Sequence, residues 1–136
     1  MSFQGKRPTI LIVEDDWVLR NDTTEALEDA GWSVIGVASG EEALVLLDPA
    51  PPIDLVFIDI NLTGRTTGWE VGHAAEKVGK VPVIYTSGVA VAAPREEWQF
   101  LAKPYAREAV VEACNNALMS YSAERPLGSV ALPRPI

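Results

Sequence analysis

The chain has 136 residues, 48% of them apolar, with a net charge of −8 at pH 7; this suits one domain with a sizeable core and excludes a disordered chain. The acidic balance argues against nonspecific nucleic-acid binding, which needs Lys and Arg to neutralise phosphates. No stretch approaches the roughly 18 apolar residues of a membrane span. The start, Met1 to Pro8, has no apolar run behind its charges and does not read as a signal peptide. A single cysteine, Cys114, fits a reducing cytoplasm, and one Cys with one His cannot build the usual four-ligand structural zinc site.

Residues 9–14 (Thr-Ile-Leu-Ile-Val-Glu) form a β-branched apolar run that ends abruptly in acid. That pattern predicts a strand buried on both faces, as in a parallel sheet. A helical pattern follows, with Leu19, Thr23, Ala26, Leu27 and Ala30 on one face, Asp16 placed as its cap and Gly31 as its stop. Residues 33–37 read as a second strand. Ala43, Leu44, Leu46 and Leu47 mark a second helix, stopped near Pro49, Pro51 and Pro52. Residues 54–58 (Asp-Leu-Val-Phe-Ile) are a third buried strand running directly into Asp59. Val71, Ala74, Ala75 and Val78 give a third helix, closed by Gly79. Residues 81–86 are a fourth strand and Gln99–Lys103 a fifth. A last helix begins near Tyr105, with Val110, Val111, Cys114, Ala117, Leu118 and Tyr121 on one face. Alternating strands and helices predict an α/β fold: a doubly wound, five-stranded parallel sheet with helices on both faces, flavodoxin-like in order. The domain is expected over residues 1–122, and 123–136 is expected to be a C-terminal extension, too short for a DNA-binding or catalytic module.

In such sheets ligands gather outside the carboxyl ends of the strands. Glu14 and Asp15 follow strand one, Asp59 follows strand three, Thr86 ends strand four and Lys103 ends strand five. These side chains should therefore converge. Carboxylates held together repel, and a hard divalent cation relieves the repulsion; magnesium accepts a few carboxylates and keeps waters for an incoming phosphate. A carboxylate can also be a covalent phosphoryl acceptor, and transfer then needs charge neutralisation more than acid–base machinery. Lys103 offers a cation and Thr86 a hydroxyl donor.

Four segments carry a more specific likeness. Ile-Leu-Ile-Val-Glu14-Asp15-Asp16, Leu-Val-Phe-Ile-Asp59-Ile-Asn61-Leu, Val-Ile-Tyr-Thr86-Ser87 and Leu-Ala-Lys103-Pro104-Tyr105 resemble the landmarks of two-component receiver domains (CheY-like), over residues 8 to about 121. The resemblance implies that Asp59 is the phosphoacceptor. It implies Mg2+ bound directly by Asp15 and Asp59, with Glu14 acting through water and Asn61 giving its backbone carbonyl. Thr86 would hydrogen-bond the phosphoryl group and Lys103 would pair with it. Lys103-Pro104 would be a cis peptide. Phe100 would stand at the position of the family's rotameric switch, with core packing as its plainer role. The partners implied are a histidine kinase or histidine phosphotransfer protein, and a downstream protein target. A stand-alone receiver would act through protein–protein contact, with a homodimer possible through residues 124–136.

Two departures from the family qualify this. The loop after Asp59 has Thr63 where most receivers carry proline and reaches Gly68 one residue later than usual, which predicts a longer, looser loop. Between Thr86 and Lys103 only Val89–Trp98 remain for a fourth helix, and Pro94 interrupts them, so that helix is expected to be short or irregular. Gly88, two residues beyond Thr86, would shield a phosphoryl group little from water.

Plainer roles fit other residues. Asp16 and Asp48 read as solvated caps, His73 as a surface residue, Cys114 as a packed thiol, and Trp17, Trp32, Trp69 and Trp98 as packing residues, with a partner surface as the second reading for Trp17 and Trp69, which follow site loops. Two rival functions stand beside the receiver reading. One is a magnesium-dependent phosphatase or phosphotransferase of the haloacid-dehalogenase type, which would need a second acid where Trp17 follows Asp15. The other is a pseudo-receiver that binds partners without phosphorylation, against which the intact acids, threonine and lysine argue.

Overall fold

A computed structural model of the protein describes residues 7–47, 52–78, 81–88 and 99–123. The elements in chain order are β1 (Thr9–Val13), α1 (Trp17–Asp29), β2 (Ser33–Val37), α2 (Gly40–Leu46), β3 (Leu55–Asp59), α3 (Gly68–Val78), β4 (Val83–Ser87), β5 (Gln99–Ala102) and α4 (Arg107–Ala123). All strand pairs are parallel, in the order β2-β1-β3-β4-β5. The expected flavodoxin-like sheet is present.

Successive side chains on a strand point to opposite faces, and here each face becomes a core. Leu11, Val13, Val56, Ile58, Val83 and Tyr85 pack with residues of α2 and α3, such as Ala43, Val71 and Ala75. Ile10, Ile12, Leu55, Phe57 and Ile84 pack on the other side with Leu27, Val110, Cys114 and Ala117 of α1 and α4. Trp32 is fully buried in that second core, and its indole N–H donates to Asn115 Oδ1 at 3.1 Å. The alternation explains why β1, β3 and β4 read as unbroken apolar runs: both of their faces are covered.

Asp16 caps α1, its side chain accepting from the Leu19 amide at 3.2 Å, and Gly31 follows the helix with φ +102°. Element ends shift by one or two residues from the sequence reading. Asp59 is the last residue of β3. β4 runs to Ser87. α4 starts at Arg107 because the Ala106 carbonyl accepts from the Ala109 and Val110 amides, while Tyr105 turns inward, edge-on to Phe57 at 5.7 Å. The fourth-helix region 89–98 with Pro94 and Trp98, the cap role of Asp48, the proline stop at 49 and 51, Gly79, the Tyr121 side chain and the 124–136 extension lie outside the described residues. Among the described residues, no helix is long and apolar enough to cross a membrane.

Candidate functional site

The strand order reverses between β1 and β3, so their carboxyl ends open a crevice. Glu14 and Asp15 leave β1 on one side of it, and Asp59 ends β3 on the other. Each offers a carboxylate oxygen, and these oxygens lie within 4.8 Å of one another.

The backbone around Glu14 is fixed twice. Its amide donates to the Val37 carbonyl at 3.1 Å, and the Arg20 guanidinium donates to its carbonyl at 2.7 Å. The Glu14 side chain is only 3% exposed. Burial pushes its pKa up to about 7, assisted by the Asp59 charge and opposed by hydrogen bonds from Lys103 and the Asp16 amide. Asp15 sits nearer solvent. Burial works against its charge, but hydrogen bonds together outweigh this, foremost from the Thr63 amide 3.2 Å from Oδ2, and hold its pKa below the usual value.

Asp59 is 5% exposed. Lys103 Nζ donates to its Oδ2 at 2.7 Å, and the Asn61 amide donates to its Oδ1 at 2.8 Å. The same ammonium lies 2.8 Å from Glu14 Oε1. Burial disfavours the Lys103 charge, but the hydrogen bonds to Asp59 and Glu14 more than compensate, and its pKa is raised. Lys103 directly follows β5, its amide bonded to the Ser87 carbonyl at 3.0 Å, and the Lys103–Pro104 peptide is cis.

Thr86 lies opposite Asp59 in the β3–β4 register. Its Oγ1 is buried and finds no hydrogen-bond partner among the described residues. Such a group carries a desolvation penalty of about 1–3 kcal/mol.

The loop from Ile60 to Thr67 is tethered rather than loose, contrary to the expectation from its length. Asp15 accepts from Thr63, and Glu41 Oε2 accepts from the Arg65 and Thr66 amides at 3.0 and 3.1 Å. Thr67 and Glu70 then form a reciprocal capping box at the start of α3. Gly68 is required by close approach: a Cβ there would fall 2.7 Å from Ile60 Cα and against the Asp59 carbonyl. The Asn61 side chain donates to Ser87 Oγ at 2.6 Å.

The structure thus brings together Glu14, Asp15, Asp59, Asn61, Thr86 and Lys103. Phe100, on the edge strand β5, is 37% exposed and takes no place in either core, which removes the plain core role. Trp17 is 66% exposed, so the packing role fails for it: as the first residue of α1, after its Asp16 cap, it faces away from both cores. Trp69 does pack, its ring 4.6 Å from that of Tyr85. His73 is exposed and Cys114 buried, as read from the sequence. Burial raises the Cys114 pKa to about 12, which leaves it an inert thiol. Sequence reasoning missed Glu41, Ser87, Arg20 and the Thr23–Tyr105 hydroxyl pair at 2.8 Å; of these only Ser87, the last residue of β4, carried a signal, as a polar residue at a strand end.

The sequence model of the response regulator receiver domain matches residues 10–115. Among curated proteins, the transcriptional regulatory protein AfsQ1 of Streptomyces coelicolor is 35% identical over 77 residues, 57% of this chain and 33% of that protein. CpxR of Escherichia coli, also a transcriptional regulatory protein, is 37% identical over 75 residues, 55% of this chain and 31% of its own length. The matched segments thus span about a third of these relatives. Among solved structures, a response regulator receiver protein from Sinorhizobium medicae superimposes with a TM-score of 0.79 at 29% identity, covering 85% of this chain and 97% of that one. The signal receiver domain of a modulated diguanylate cyclase from Desulfovibrio desulfuricans gives a TM-score of 0.77 at 28% identity, over 88% and 99% of the two chains.

Proposed function

The chain belongs to the response regulator receiver domain family, and on that premise we propose that it accepts a phosphoryl group on Asp59 from a histidine kinase or histidine phosphotransfer protein. The observation that carries this reading is Lys103 bridging Asp59 and Glu14 beside the unpartnered Thr86 hydroxyl. One cation and one free donor stand where negative charge would arrive.

The donor set fits Mg2+. The oxygens are hard and the carboxylates are crowded, and Glu14, its pKa raised mainly by burial and further by the Asp59 charge, is a buried acid whose ionised form a cation would favour. Asp15, Asp59 and the Asn61 carbonyl would hold the ion, with Glu14 assisting. When bound, it supplies charge neutralisation for the phosphoryl oxygens.

The chain's own residues do the rest. An Asp59 carboxylate oxygen attacks phosphorus, an O–P bond forms, the donor's N–P bond breaks, and the leaving imidazole takes up a proton. Lys103 shifts its hydrogen bond from the carboxylate to a phosphoryl oxygen. Thr86 Oγ–H donates to another. The β1–α1 and β3–α3 loops keep the acids in place through backbone hydrogen bonds, so little reorganisation accompanies transfer.

The family is one of signalling acceptors rather than turnover enzymes, and catalysis here would be limited to promoting loss of the chain's own phosphoryl group. Output would run through contact with a downstream protein in the cytoplasm. The curated relatives are transcriptional regulatory proteins, which leaves DNA open as an end point of the signal. Residues 124–136 would contribute to self-association; an unchanged sedimentation mass on deleting them from a dimeric protein would contradict that.

The reading is tested by exposing the protein to Mg2+ and a small acyl-phosphate donor, then weighing it intact. One added phosphoryl group is expected in the wild type and none in Asp59→Asn. No gain in the wild type, or an equal gain in the variant, contradicts it. Catalytic turnover of phosphate monoesters would instead favour the phosphatase reading.

A further inference from the structure

Two adjacent glutamates at the start of α2 do different work. Glu42 serves its own helix: its Oε1 accepts from the Ala38 amide at 3.0 Å, and its amide donates to the Ser39 hydroxyl at 3.1 Å. Glu41 turns away from the helix and holds the loop that follows Asp59. Its Oε2 accepts from the amides of both Arg65 and Thr66.

The backbone is shaped to allow this grip. Gly64, at φ +101°, passes so close that a Cβ there would lie 3.3 Å from Glu41 Oε1, and L side chains rarely adopt that φ. Gly40 meets Thr66 closely enough that a Cβ would lie 2.8 Å from the Thr66 carbonyl oxygen and side chain. Thr66 itself is buried. The same loop has a second anchor, the Thr63 amide on Asp15 Oδ2. These anchors differ in kind. Asp15 belongs to the acid cluster, so a bound cation competes for its oxygens, whereas Glu41 stands outside that cluster. Its hold on the loop does not depend on whether the site is filled.

We propose that Glu41 is a positioning residue for the Asp59 site, fixing the 60–67 loop so that the Asn61 backbone stays placed while Asp15 engages a cation. The proposal rests on the Mg2+-dependent reading of Asp59 given above.

The test uses the full chain as wild type, Glu41→Ala and Glu41→Gln. Hydrogen exchange is followed at the Arg65 and Thr66 amides, and Mg2+ is titrated against the Asn61 amide resonance. Glu41→Ala is expected to speed exchange at Arg65 and Thr66, leave core amides such as Phe57 unchanged, and weaken Mg2+ binding by up to about tenfold, the low end for groups that orient metal ligands. Glu41→Gln keeps an acceptor oxygen without the charge and is expected to recover most of both effects. Equal weakening in both variants would assign the effect to remote charge and overturn the proposal, as would wild-type behaviour in Glu41→Ala. Exchange accelerated throughout the core would reduce Glu41 to a folding role and overturn it too. A wild type that binds no Mg2+ would instead sink the reading of Asp59 itself, and the positioning role with it.

Discussion

The Lys103 ammonium lies 2.7 Å from Asp59 Oδ2 and reaches Glu14 Oε1 at 2.8 Å, so one cation from the end of β5 neutralises acids from the ends of β1 and β3. Removing it leaves two buried carboxylates facing each other. Breaking a buried pair commonly costs about 3–5 kcal/mol. The loss here should be smaller, about 1–3 kcal/mol, because the Glu14 pKa is already raised to about 7 with Lys103 lowering it, so without the ammonium Glu14 can take up a proton and neutralise itself. Lys103→Met should therefore unfold at lower urea than the wild type at pH 8, with part of the difference recovered by added Mg2+. Equal urea midpoints would show that the bridge adds no stability.

Glu14 gives a pH dependence with a definite sign. Its folded pKa, near 7, lies above the ordinary value of 4.5, so the folded state binds its proton more tightly than the unfolded state does. That stability is fully present below pH 4.5 and is lost as pH rises through about 7, a change on the order of 3 kcal/mol without Mg2+. Asp15 acts the other way, its contribution being lost only as pH falls through its lowered value, below 3.8. The difference in urea stability between wild type and Glu14→Gln should thus slope between pH 4.5 and 7 and be flat above. A difference independent of pH across that window would contradict the buried, proton-holding Glu14.

Thr86 should separate stability from function. Its hydroxyl is buried and has no partner among the described residues, so Thr86→Val removes an unmet polar group and keeps the shape. Stability should hold or rise by about 1 kcal/mol, while phosphoryl uptake from an acyl-phosphate donor slows. Thr86→Ser should keep the uptake. A Val variant that is destabilised by more than that amount, or that takes up phosphate at the wild-type rate, would show the hydroxyl to have another role.

Much of this arrangement could be read along the chain because its signals are local. An apolar run such as Leu55 to Ile58 is buried on both faces of a parallel sheet, and the acid that ends it must lie at the sheet's carboxyl edge. That logic located Glu14, Asp15, Asp59, Thr86 and Lys103 together. It failed where the deciding contact is distant or where exposure depends on neighbours. The carboxylate of Glu41 meets amides more than 20 residues away, and nothing in Gly-Glu-Glu-Ala says which glutamate caps the helix and which turns outward. Phe100 reads as apolar strand, yet β5 is the sheet edge and leaves it half open. Trp17 reads as a packing residue, yet it opens α1 on the side turned from both cores. Loop length alone suggested a loose 60–67 segment, because hydrogen bonds from other elements leave no mark in the loop's own sequence.

The central claim is that the phosphoryl group resides on the Asp59 carboxylate, and its most direct test is to find the modified residue. The protein is phosphorylated by a small acyl-phosphate donor with Mg2+, reduced with borohydride, which converts an aspartyl phosphate to homoserine, and sequenced as peptides. Homoserine at position 59 alone is the predicted result. Homoserine at position 15, phosphate retained on His73, or no modified residue at all would contradict the account.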